Sequence, residues 1–181
     1  MSRTELLTLS LKGLMAWLAL SALGWYFGEA LGQCLLPGFV FIINQISPDF
    51  SSWLTLVNDK QDFFIQMNAI VLQPVHLGGK QWLTVGQDMT AGTHLMHTMV
   101  PMVIELSILV VWPVKGWRER LVLLALGLVT SLLVLAATTP FVLLGNLEIY
   151  LQDMAVEAKV HRPEPWILSW MIFCEMGGRW V

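Results

Sequence analysis

Charge is what this sequence has least of. Only 13% of its 181 residues are Asp, Glu, Lys or Arg, against roughly 25% in an ordinary soluble domain. That shortage excludes intrinsic disorder, which depends on high charge and few large apolar residues, and it argues against a soluble globular domain. Basic residues are outnumbered, 10 against 13 acidic, for a net charge of -3. Nucleic-acid binding needs a clustered basic face, so that class falls away. Cysteine is scarce too, and Cys34 and Cys174 are too few for a disulfide framework. No internal repeat, low-complexity run or long linker interrupts the chain. What fills it is hydrophobic: 56% of residues are apolar and the mean hydropathy is +0.66. The sequence reads as an integral membrane protein, mainly α and polytopic.

A helix needs about 20 mostly apolar residues to cross roughly 30 Å of hydrocarbon. Four stretches qualify or nearly do: 13–36, 95–114, 121–144 and 166–181. The first carries Glu29 near its far end and is closed by Pro37-Gly38; the apolar Phe39–Ile46 beyond lies in the interface or continues the helix past Pro37. It is too long for a cleavable signal and lacks a small-residue processing site. The second has Glu105 close to its centre. The third has no charge at all. The fourth is short and contains Glu175 and Arg179, so it crosses with Arg179 reaching back to the interface or it is re-entrant.

Orientation follows from Lys and Arg. Arg3 and Lys12 precede the first span, and Lys115, Arg118 and Arg120 join the second to the third, against only Glu5 and Glu119. The segment 44–94 holds Asp49, Asp59, Asp62 and Asp88 against Lys60 and Lys80, and 145–165 is likewise acidic. Both acidic segments belong outside, which places the N-terminus in the cytoplasm of a bacterial inner membrane. Trp25, Tyr26, Trp112, Trp117 and Trp166 fall near the span ends, as an aromatic belt does.

Between the first two spans, the segment 47–92 changes character. Ser52–Val57, Asp62–Leu72 and Lys80–Val85 are rich in strand-forming residues. They are separated by Asn58-Asp59-Lys60 and by His76–Lys80, whose Gly78-Gly79 suits a two-residue hairpin turn. The expectation is an extracytoplasmic antiparallel insertion of two or three strands. So small a sheet is marginal alone and has to pack on the spans, on lipid or on a partner.

Three constellations carry possible chemistry. His94 and His97, three apart, share a helix face, and with Met96 and Met99 they offer imidazole and thioether ligands for copper, while imidazole with carboxylate would suit zinc. The bland alternative is a polar helix entry with methionine as core filler. Glu105 is costly at mid-membrane and faces protein or water. It shares a stripe with His97 and Pro101, and its ordinary reading is a protonated carboxyl hydrogen-bonded to Thr130, Ser131 or a partner's helix rather than part of a proton or ion path. Nucleophilic chemistry at Cys34 or Cys174, as in a membrane Cys transpeptidase or protease, needs an activating base and an oxyanion site that the sequence does not place beside either.

Gly24, Gly28 and Gly32 run up one stripe of the first span and permit close helix contact. Trp53, Phe63, Phe64 and Trp82 give the insertion more aromatic area than its few strands can cover, which suits an interface core or the lipid headgroups. The stretch Asp88 to Leu144 has a polar approach, an apolar span with Pro101, the basic link Lys115-Gly116-Trp117-Arg118-Glu119-Arg120, and a second apolar span. In that layout it resembles the small membrane proteins associated with bacterial exosortases. The resemblance rests on layout and matches no functional residue. It implies a non-catalytic accessory protein of a surface-protein system. The sequence-based expectation is therefore an accessory or structural subunit of an inner-membrane complex, without enzyme activity or a cofactor. Its partners would be other membrane subunits, including an extracytoplasmic domain that meets the sheet and the acidic segment Glu148 to Glu164. Copper or zinc binding is the alternative, and the Cys enzyme the second.

Overall fold

A computed structural model of the chain describes residues 3–59, 62–114 and 116–175. The first element, α1 (Arg3–Ile46), is 44 residues long, about 66 Å at 1.5 Å per residue. Two strands follow, β1 (Phe50–Asp59) and β2 (Asp62–Val71). Next come a short hairpin, β3 (Val75–Gly78) and β4 (Gln81–Leu83), and a last strand, β5 (Asp88–His94). The chain then turns directly into α2 (Leu95–Val111), and α3 (Trp117–Glu157) and α4 (Trp166–Glu175) complete the described residues. The fold is mainly helical with a small antiparallel sheet. Two helical stretches, Leu7–Ile46 and Trp117–Glu157, are long and apolar enough to cross a membrane.

Both long helices overrun the expected spans. Pro37-Gly38 does not end α1: proline removes one N–H and crowds the carbonyl four residues back, yet the turns beyond it are held by packing. Phe39 and Ile43 are buried against the sheet. Likewise α3 begins before residue 121 and does not stop at 144. Its extra turns carry Leu147 and Leu151 into the same core, so most of the expected acidic loop 145–165 is helix. The second span starts at Leu95 as expected but closes at Val111, where Pro113 disfavours a helical Trp112. Of the fourth, 166–181, the helix Trp166–Glu175 is described, and residues 176–181 lie outside the described residues.

The sheet also departs from expectation. Its order is β1-β2-β5, antiparallel throughout. The third strand is thus Asp88–His94, not Lys80–Val85, whose Gln81–Leu83 pairs with β3 as a separate two-stranded sheet. The hairpin turn sits one residue later than expected, with Gly78 opposite Gln81 and the left-handed Gly79 in the turn. Along β2, Ile65, Met67, Ala69 and Val71 are buried, the period of two that puts alternate side chains on one face. That face rests on the C-terminal halves of α1 and α3. Ser52 Oγ donates to Asn44 Oδ1 (2.8 Å), tying β1 to α1, and Asn146 Nδ2 donates to the Gly92 carbonyl (3.0 Å), tying α3 to β5.

Candidate functional site

The helix pair α1–α2 is built on the glycine stripe. A Cβ at Gly24 would lie 4.0 Å from Val103, and one at Gly28 3.9 Å from Leu95. At Gly32 it would come 2.7 Å from Leu56 on β1, closer than a real Cβ tolerates, and a tight 3.2 Å from Leu95. Lower down, Gly13 meets Val111. Thus α2 covers α1 from Gly13 to Gly32, a rise of about 29 Å, close to the thickness of bilayer hydrocarbon.

Glu105 lies within this bundle and points to α3. Ser131 Oγ donates to Glu105 Oε2 at 2.8 Å, and Thr130 Oγ1 contacts Oε1. Thr130 has a single proton and also lies 3.1 Å from the Leu126 carbonyl and 3.0 Å from that of Gly127. Each oxygen of Glu105 thus meets a hydroxyl of α3, while Thr130 also lies against the carbonyls of its own helix. One turn away, Leu109 packs onto Gly127, which lets α2 and α3 approach at this level. Glu105 so finds its partners inside the chain. His97 and Pro101, on the same stripe, are exposed.

The four metal-ligand candidates do not converge. The His94 and His97 rings lie side by side, centroids 5.0 Å apart, with Phe64 4.1 Å from His94 on the other side. Met99 is buried with Leu95 in the core, and Met96 and Met99 fall on the helix face opposite the two histidines. Among the described residues no group of three or more His, Cys, Asp or Glu is assembled that could hold a metal ion. Cys34 is exposed on α1 and Cys174 is half-buried on α4.

The aromatic quartet also separates. Phe63 turns inward and packs against the core. Trp53 and Phe64 lie on the opposite face of the sheet, where Trp53 is 44% exposed. Trp82 sits on the hairpin, against the His76 ring and 57% exposed. The open face of the three-stranded sheet therefore carries Trp53, Val57 and Phe64, while Trp82 belongs to another surface. No known protein family, curated protein or solved structure matches the chain.

One cluster had no sequence signal. Arg162, in the link between α3 and α4, grips Glu148 in two contacts, Nε to Oε1 at 2.5 Å and Nη2 to Oε2 at 3.0 Å, and its Nη1 donates to the His76 carbonyl at 2.5 Å. Both side chains are largely buried, 15% and 11% exposed. Beside them Gly78, with φ of 134°, lies so close to the His161 carbonyl that a Cβ would collide with it. One arginine thus joins α3, the α3–α4 link and the β3–β4 hairpin. Fourteen residues of separation and a partner on a distant hairpin leave nothing to read in the linear sequence.

Proposed function

We propose that the chain is a multi-pass inner-membrane protein, N-terminus in the cytoplasm, that acts as a non-catalytic accessory or structural subunit. In this reading α1 to α4 form the membrane bundle, and the outer halves of α1 and α3 carry the sheet on the extracytoplasmic side. The observation that carries it is the bareness of the long helices. In the most apolar 18-residue window of each, only 22% of α1 and 17% of α3 is buried. A core helix of a soluble protein would be mostly covered, and so large a bare apolar surface on a soluble monomer would be an aggregation liability. Lipid is the environment that suits it.

The subunit part of the reading rests on the open sheet face. Trp53 and Val57 stand exposed on the face that also carries Phe64, whose ring packs on His94. Aromatic residues are enriched in interface cores, and the layout, which resembles that of exosortase-associated proteins, implies a non-catalytic accessory protein. Purification of the full chain in mild detergent tests this. A stoichiometric partner that is lost on Trp53→Ala is expected. A monodisperse chain running alone, unchanged by that substitution, would overturn the subunit reading.

The paired imidazoles of His94 and His97 keep metal binding as a second reading. Elemental analysis tests it: about one copper or zinc per chain, lost in a His94→Ala/His97→Ala variant, would put it first.

A further inference from the structure

The opposite end of the bundle holds a cleft that the subunit reading does not use. There α1 projects three turns beyond the last residue of α2, and the hollow between those turns and the start of α3 has a volume of about 370 Å³, with an adjoining hollow of about 430 Å³. Lys12 on α1 and Arg120 on α3 line both hollows, together with Val111 at the end of α2. Leu11, Met15 and Val110 give the first hollow its apolar floor. Among the described residues neither Lys12 nor Arg120 makes an ion pair. Two unneutralised cations therefore stand over an apolar floor at the rim of the membrane bundle.

We propose that this cleft is a binding site for the phosphate headgroup of an anionic phospholipid, with Lys12 and Arg120 as its ligands. The inference rests on the membrane reading above. The guanidinium fork of Arg120 fits phosphate oxygens in two contacts, and Lys12 supplies a second, compact charge. Free phosphate would satisfy the same cations. The floor decides between the two sources, because Leu11, Met15 and Val110 offer nothing to an inorganic anion but lie where the first acyl carbons of a lipid would rest. Basic pockets between spans on the cytoplasmic side are a recurrent way of holding anionic headgroups, and the end carrying Lys12, Arg118 and Arg120 is the cytoplasmic one under the positive-inside rule. The site would fix the height of α1 against α3 at the inner leaflet.

Native mass spectrometry of the full chain in detergent, titrated with phosphatidylglycerol or phosphatidylcholine, tests the site. Membranes are first washed with alkaline carbonate, so that the two readings fail separately. Release of the chain into the wash would overturn both, whereas retention followed by equal adducts with the two lipids would overturn the lipid site alone. The expected result is a preference for phosphatidylglycerol on the order of tenfold or more, the size that two cations near an anionic surface supply. Lys12→Gln/Arg120→Gln should abolish that preference, and Arg118→Gln, outside the cleft lining, should keep it. Equal loss in both variants would mean diffuse surface charge and overturn the site. Full displacement of the lipid by millimolar inorganic phosphate would overturn the lipid assignment in favour of the free anion.

Discussion

Two carboxylates define the residue scale, and their surroundings set opposite sensitivities. Glu105 meets two hydroxyls, one of which has another acceptor in reach: Thr130 lies 3.1 Å from the Leu126 carbonyl. Glu105→Gln, which still accepts and donates, should leave the thermal midpoint in detergent nearly unchanged. Glu105→Leu should cost no more than about 1.7 kcal/mol, the upper end for hydrogen bonds between membrane helices, which average about 0.6 kcal/mol. Glu148 is different, because its partner Arg162 is largely buried and has no second carboxylate in contact among the described residues. Glu148→Ala strands a buried guanidinium and should cost roughly 3–5 kcal/mol, with Glu148→Ala/Arg162→Met recovering much of the loss. Equal effects of Glu105→Leu and Glu148→Ala on the unfolding midpoint would contradict this ordering. Glu105 was visible as an isolated charge in an apolar run, and its hydroxyl partners were visible on the next span. Arg162 was not, since nothing local distinguishes a surface arginine from one that will be enclosed by a hairpin folded elsewhere in the chain.

At the scale of elements, what could be read was hydrophobic length, and what could not was where tertiary packing carries a helix past its punctuation. Pro37-Gly38 is ordinary stop chemistry, and only the burial of Phe39 and Ile43 on the sheet explains why α1 continues. The strand β5 was hidden for another reason. Its inward residues Met89, Ala91 and Thr93 alternate with Asp88, Thr90 and Gly92, but they are too small or too polar to register as a hydrophobic run. The two glycines of α1 that bracket this region should respond in opposite directions. Gly38 has nothing within 4 Å of an added Cβ, so Gly38→Ala should stabilise by about 0.4–1 kcal/mol through the helix and the unfolded chain. Gly32→Ala drives a methyl into Leu56 and Leu95 and should cost about 1–3 kcal/mol. Chemical denaturation of both variants in the same detergent checks the sign, and a stabilising Gly32→Ala would mean that α1 and α2 are not in contact there.

On the scale of the whole molecule, two helices about twice as long as bilayer hydrocarbon is thick divide the chain into a helical bundle and a sheet-bearing half, and on our reading the bundle faces lipid. The sheet is not a free insertion: β1 is bonded to α1 and β5 to α3, and the Arg162 cluster fastens the hairpin to the same helix. The open sheet face and the basic cleft lie at opposite ends of this arrangement, which on our reading puts one outside the cell membrane and the other at its inner leaflet. Labelling with a membrane-impermeant maleimide in spheroplasts tests that claim most directly, using Cys34→Ser/Cys174→Ser chains with a single cysteine at position 82 or 117. Trp82 and Trp117 are 57% and 71% exposed, so reactivity at either reports the compartment and not burial. Trp82→Cys should label in intact spheroplasts and Trp117→Cys only after permeabilisation. Labelling of position 117 from outside, or of both positions alike without permeabilisation, would contradict the account.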